Sequence, residues 1–201
     1  MDYIFPKPPR GLAGKVAIVT GAGAHGDGIG NGRASAILLA DDGCAVVCVD
    51  RDVALAQRTV EMIEAEGKGR AIAVQADVSV EADCARVVKT AVETFGRLDI
   101  LLNCVGIGGA PGTAVEVDMA QWTKSMEINV SSMVMMAKYA IPEMIKNDNA
   151  WGYRGAIINM SSVAGLRGGT PHLLYPTSKG AVVNLTRAMA AHHAAEGIRV
   201  N

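Results

Sequence analysis

The chain has 201 residues, half of them apolar and 19% charged, which is enough for one compact domain with a sizeable core and unlike a disordered segment. Nineteen Lys and Arg against 20 Asp and Glu leave a formal net charge of −1, so no basic face invites nucleic acid, and 4% aromatics are too few for base-stacking platforms. Cys44, Cys48, Cys84 and Cys104 have neither metal-type spacing nor the density of a disulfide scaffold, so no metal is expected and they read as reduced thiols of a cytoplasmic protein.

Residues 1–14 read as an N-terminal extension. Pro6, Pro8 and Pro9 stand where a secretory leader would be continuously apolar. No apolar run approaches the roughly 20 residues that span a bilayer, so a soluble chain without a membrane partner is expected.

Residues 15–20 then predict a short buried strand, since Val16, Ala17, Ile18 and Val19 are consecutive and apolar. A glycine-rich loop leads to a helix over about 33–42, stopped by Gly43. Strands follow over 44–50, 70–76 and 98–104. Helices over 53–66 and 80–95 separate them, ending at Gly67 and Gly96. A long helical region covers about 119–146, with Pro142 near its end. A fifth strand covers 156–160, a helix 174–196, and 198–200 begins a sixth strand. Regular alternation of strand and helix predicts a Rossmann-like, doubly wound parallel sheet in a three-layer α/β/α arrangement. No repeat or second domain is visible, so 15–201 is expected to be one dinucleotide-binding catalytic domain. Because 198–200 is only the beginning of a strand, that domain is expected to be incomplete and part of a longer chain.

Ligands of such sheets bind beyond the carboxyl ends of the strands, so residues following strands carry the information. Thr20 to Gly32 follows the first strand and contains Gly21, Gly23, Gly26, Gly28, Gly30 and Gly32. Glycines there permit a tight turn and close approach of backbone N–H groups to a pyrophosphate, helped by the dipole of the next helix. Gly28-Ile29-Gly30 is one candidate contact. Counting back from Gly43 favours Gly30-Asn31-Gly32 instead. Asp50 closes the second strand, where a carboxylate accepts from both adenosine-ribose hydroxyls and repels a 2′-phosphate. NAD is therefore expected over NADP. The alternative is that Asp50 merely caps the next helix, a task Asp52 could take. Arg51 stands against the NAD reading, since a guanidinium there could pair with a 2′-phosphate. The loop offers Asp27 and no cation before Arg33, which favours NAD again. Asp77-Val78 follows the third strand, and Asn103, Cys104, Val105 and Gly106 end the fourth. Singly these read as a helix cap and a turn; together they form a floor for the adenosine half.

Tyr175 and Lys179 stand at i and i+4 on the last helix, hence on one face. A phenol is a poor base at neutral pH, and a neighbouring ammonium favours its phenolate. Tyr175 can then exchange a proton with an alcohol oxygen as hydride moves. Ser162, 13 residues earlier at the tip of the fifth strand, can hold that oxygen. Asn129 lies in an apolar helical stretch, where it either kinks the helix or serves a water-held proton relay to Lys179. Arg167 and His172, in the loop before Tyr175, either meet a polar substrate or are simply solvated.

Thr20-Gly21, Gly28-Ile29-Gly30, Asp77-Val78, Asn103-x-x-Gly106, Asn129, Ser162 and Tyr175-x-x-x-Lys179 occur together in one order, and in this the chain resembles the short-chain dehydrogenase/reductase family. The resemblance covers the chain from residue 15 onward. It implies hydride transfer between NAD and a small secondary alcohol or ketone. Tyr175 would be the acid/base, Ser162 would orient the substrate, Lys179 would bind the nicotinamide ribose, and Asn129 would complete a relay. Two departures stand out: the glycine loop is longer than the family's Thr-Gly-x-x-x-Gly-x-Gly, and Cys104-Val105 replaces the usual Asn-Ala. The family also implies a homodimer or homotetramer built on helices 119–146 and 173–196, through residues such as Met133, Met136, Val182, Leu185 and Met189. A dinucleotide-binding protein without turnover and an NAD-assisted epimerase stay open on the same scaffold.

Overall fold

A computed structural model describes residues 11–201 except 27, 68, 150 and 151. Most of the expected N-terminal extension, and Asp27, therefore lie outside the described residues. Strands β1 (Val16–Thr20), β2 (Ala45–Asp50), β3 (Arg70–Gln75), β4 (Ile100–Asn103), β5 (Gly155–Asn159) and β6 (Ile198–Val200) form one parallel sheet in the order β3-β2-β1-β4-β5-β6. Helices α1 (Asn31–Asp41), α2 (Val53–Glu66), α3 (Glu81–Phe95), α4 (Met119–Met126), α5 (Ser132–Met144) and α6 (Leu174–His193) connect them.

Side chains of a strand alternate between faces, so a strand covered on both sides must be apolar throughout. In β1, Ala17 and Val19 pack with Ala36 and Ala40 of α1 and with Ala56, Val60 and Ile63 of α2. Ile18 turns to the other face, toward the layer built from α3, α5 and α6. Met133, Met136 and Val182 are fully buried and Met189 nearly so, while Leu185 is half-buried against the same core. These side chains, expected at a subunit contact, serve the sheet. Val134 of α5 is the apolar residue left exposed there.

Caps and glycines set the boundaries. Asp52 caps α2, its Oδ1 accepting from Ala54 N at 3.0 Å, so the cap falls to Asp52 rather than Asp50. Gly67 and Gly96 end α2 and α3 in the left-handed conformation. The expected long helix over 119–146 is two helices joined by a π-helical turn, Glu127–Ser131. Such turns contain one surplus residue and concentrate at functional sites. Asn129 is the buried residue of this one.

Candidate active site

The strand order reverses at β1, flanked by β2 and β4, and a crevice opens beyond the carboxyl ends at such a point. A cleft of about 470 Å³ lies there. Gly21 and Gly23 from the tip of β1, Asp50 and Arg51 from β2, Asp77 and Val78 from β3, and Val105 and Gly106 from β4 all line it. Gly28, Ile29 and Gly30 stand outside this lining, and Ile29 is exposed. Asn103 is buried elsewhere: its Nδ2 donates to Asn159 Oδ1 at 2.9 Å and joins β4 to β5.

Asp50 is held in place by backbone. Oδ2 accepts from Gly23 N at 3.0 Å and Oδ1 from Asp52 N at 3.1 Å. A Cβ on Gly23 would lie 2.7 Å from Asp50 Oδ2 and 2.6 Å from Leu55 Cβ, so this approach requires glycine. Gly30 is the N-cap of α1 and contributes no side-chain cap. The N–H groups of that first turn therefore have no capping side chain, as an anion site requires. A Cβ on Gly32 would overlap the Gly21 carbonyl, so Gly30-Asn31-Gly32 marks the start of the helix. Asp77 accepts from the hydroxyl and N–H of Ser79, which hold its carboxyl below the usual carboxylate range. Arg51 is exposed at the cleft margin.

Lys179 is almost fully buried, and burial lowers its pKa. Its ammonium donates to the Met160 carbonyl at 2.7 Å and stands 6.0 Å from the Tyr175 ring centroid. Gly106 makes room for it: a Cβ there would come within 3.0 Å of Lys179 Nζ. Asn129 sits beside this point. Its Oδ1 accepts from Ile107 N at 2.8 Å, and its Nδ2 donates to Ile107 O at 2.9 Å and Ser178 Oγ at 3.0 Å. Both readings of Asn129 thus have a structural counterpart, the irregular helical turn and the place beside Lys179. Ser162 caps the short turn Val163–Gly165, its Oγ accepting from Ala164 N at 3.2 Å. Neighbouring Ser161 donates to the Lys179 carbonyl at 2.8 Å, which fixes the tip of β5 against α6. Tyr175 is half-buried on the first turn of α6. Ser162, Tyr175, Lys179 and Asn129 therefore come from three separate elements to one end of the sheet.

His172 is engaged in the fold: its Nδ1 accepts from Gly112 N at 3.1 Å, linking the loop after β4 to the loop before α6. Arg167 is exposed. A hollow of similar size, about 500 Å³, lies at the opposite end of the sheet. Its described lining is engaged elsewhere: burial pushes the Cys44 thiol up to about 12, Lys15 is paired with Asp99 at 3.1 Å, and Arg70 stacks on Phe95 at 5.2 Å. Chemistry rather than volume locates the site. Sequence reading gave Thr20 no role beyond its place in Thr20-Gly21, and missed Ser178 and Arg33. Thr20 Oγ1 accepts from Cys104 N at 3.2 Å, and Ser178 anchors Asn129. Ser178 lies inside the Tyr175-x-x-x-Lys179 segment, which could have flagged it.

The family model described as short chain dehydrogenase matches residues 15–201. The chain is 36% identical to meso-2,3-butanediol dehydrogenase of Serratia marcescens over 93% of its own length and 68% of that protein's. It is 36% identical to cyclohexanol dehydrogenase of an Acinetobacter species, over 93% and 70%. A short-chain dehydrogenase/reductase crystal structure from Burkholderia xenovorans superposes with a TM-score of 0.86 at 40% identity, covering 94% of this chain and 70% of that one. A 7α-hydroxysteroid dehydrogenase complexed with NADH and 7-oxo glycochenodeoxycholic acid superposes at 0.84 and 34% identity, over 94% and 69%. With the parallel sheet and the family-model match agreeing over the same residues, the chain belongs to the short-chain dehydrogenase/reductase family, oxidoreductases that act on CH–OH groups with nicotinamide cofactors.

Proposed function

We propose that the chain interconverts a small secondary alcohol and its ketone with NAD, and that Tyr175 is the general acid/base. The observation that carries this reading is the buried Lys179 ammonium, 6.0 Å from the Tyr175 ring, directly beside the dinucleotide-sized cleft. The cleft suits an adenosine diphosphate moiety. The uncapped first turn of α1 faces an anion favourably, and Asp50 keeps lone pairs free for ribose hydroxyls. When bound, the nicotinamide accepts or supplies the hydride. Lys179, buried beside Tyr175, would hold the nicotinamide ribose next to the phenol. Tyr175 removes the hydroxyl proton during oxidation and returns it during reduction. Ser162 Oγ orients the substrate oxygen, and Asn129 fixes the loop at Ile107 beside Lys179, where a proton relay would run.

NAD is favoured over NADP because Asp50, at the tip of β2, repels a 2′-phosphate, although Arg51 is adjacent. Among the described residues no helix is long and apolar enough to cross a membrane, and the four cysteines are unpaired. A cytoplasmic homodimer or homotetramer is the assembly that membership of the family favours. Val134 marks the free face of α5 for that contact, and light scattering at micromolar concentration measures it.

The deciding experiment titrates NADH and NADPH by calorimetry, then follows a panel of secondary alcohols at the NADH absorbance band. NADH binding more tightly than NADPH, with turnover of at least one alcohol, is the expected result. NADPH binding equally or more tightly overturns the cofactor assignment. Unimpaired turnover by Tyr175→Phe overturns the mechanism.

A further inference from the structure

Arg33 is the third residue of α1, and its side chain is wholly buried. A guanidinium has five N–H donors in a rigid fork, and here each has an acceptor. Nε donates to Thr59 Oγ1 at 3.1 Å. Nη1 donates to the carbonyls of Gly26 at 2.9 Å and Gly28 at 2.7 Å. Nη2 donates to the carbonyls of Ala24 at 2.8 Å and Leu55 at 3.4 Å. Thr59 in turn donates to the Ala22 carbonyl at 2.7 Å. The carbonyls of residues 22, 24, 26 and 28 therefore all converge on this Arg–Thr pair.

Two physical facts make the arrangement informative. Glycine loses the most conformational freedom on ordering, so a loop with six glycines in 12 residues is costly to hold in one shape. In addition, every acceptor of Arg33 among the described residues is neutral, whereas buried charges are normally paired with an opposite charge. Among the described residues no carboxylate meets this cation, which lies against the loop carbonyls and belongs to the first turn of α1, where no side chain caps the helix. An anion placed over that turn is the partner that both features favour.

We propose that Arg33 is a positioning residue for the diphosphate of the dinucleotide: it gathers alternate carbonyls of the long glycine loop into one cradle and supplies the positive charge beneath it. This rests on the reading of the cleft as a dinucleotide site. It is distinct from the roles of Tyr175 and Lys179, which concern the reacting end.

The test compares NADH, ADP-ribose and adenosine binding to the unmodified chain, Arg33→Gln, Arg33→Lys and Thr59→Val. Calorimetry follows the first two ligands and ligand-detected NMR follows adenosine, which has no phosphate. Arg33→Gln is expected to weaken NADH and ADP-ribose about 10- to 100-fold, as loss of charge-assisted hydrogen bonds does, and adenosine less than about threefold. A merely structural role would weaken all three alike, so equal losses overturn the proposal. Arg33→Lys keeps the charge but not the fork and should remain at least about fivefold weaker than the unmodified chain; full recovery overturns the cradle. If circular dichroism shows Arg33→Gln unfolded, Thr59→Val decides. A drop of about three- to tenfold for ADP-ribose with adenosine retained supports the proposal, and unchanged binding overturns it. Absence of NADH and NADPH binding to the unmodified chain overturns both this proposal and the dinucleotide reading, whereas NADH binding that is indifferent to Arg33 overturns this proposal alone.

Discussion

Asp99 and Asp50 stand at opposite ends of the same sheet, and their oxygens are used differently. Asp99, just before β4, accepts from Lys15 Nζ at 3.1 Å and Arg97 Nη2 at 2.7 Å on Oδ1, and from Val16 N at 3.0 Å and Arg97 Nε at 2.8 Å on Oδ2. Each oxygen is saturated and the charge is cancelled. Asp50, at the end of β2, accepts one backbone N–H on each oxygen and, among the described residues, meets no cation. Lys179 and Arg33 follow the same rule at that end: among the described residues their acceptors are carbonyls and a hydroxyl. One end of the sheet spends its charges on itself and gains stability. The other fixes its charges with neutral groups, as the proposed dinucleotide site would need.

Breaking that contrast at the carboxyl end should act on turnover. Tyr175→Phe is expected to lose turnover by at least ~10²–10⁴, the usual contribution of a general acid/base, with NADH affinity retained. Steady-state rates and calorimetry together check this. Breaking it at the amino end should act on stability. Asp99→Asn is expected to cost roughly 2–3 kcal/mol, below the usual figure for a severed buried ion pair because Arg97 and Lys15 keep some solvent. Urea unfolding measures that loss, and NADH affinity should stay within about twofold.

The pH dependence sharpens the same point. Burial raises the Asp99 carboxyl, but hydrogen bonds from Arg97, Val16 N and Lys15 outweigh it and hold the group below the usual carboxylate range. A depressed folded-state pKa means that the unfolded chain binds the proton more readily. The stabilisation is therefore complete above the ordinary value near 3.8 and is lost as pH falls through the folded value. Unfolding curves of the unmodified chain and Asp99→Asn should converge in acid and diverge above about pH 4. The smallest expected effect is Asp50→Ala, which should narrow the preference for NADH over NADPH by about tenfold, the scale of one charged hydrogen bond. Paired titrations with the two cofactors measure it.

The strands were legible because each buried run is apolar on both faces; β1 and β2 fall within one residue of the ranges expected from Val16–Val19 and Val46–Val49. The candidate site was legible where chemistry follows a strand, as at Asp50, Asp77, Gly106 and Ser162. Other features were not. Periodicity cannot register one surplus residue in a helix, so the π turn at Asn129 was hidden inside an apolar stretch. Asn103 reads as a turn residue until the pairing of β4 with β5 sets it beside Asn159, 56 positions away. Arg33 looks like surface charge early in a helix, because its acceptors come from an irregular loop whose carbonyl directions no pattern encodes.

The π turn between α4 and α5 also sets a rotational phase. An α-helix advances about 100° per residue, so one residue inserted or removed turns everything on one side of it by that angle. α4 carries Ser125, whose Oγ accepts from Ala110 N at 3.1 Å under the loop after β4, while α5 inserts Met133 and Met136 into the core. Both contacts hold at once only with the surplus residue in place. Deleting a single position within Glu127–Ser131 would restore a regular helix and swing Ser125 about a quarter-turn away from Ala110. The irregularity thus works as a gear setting, matching a helix face chosen by the core to a helix face chosen by the loop after β4.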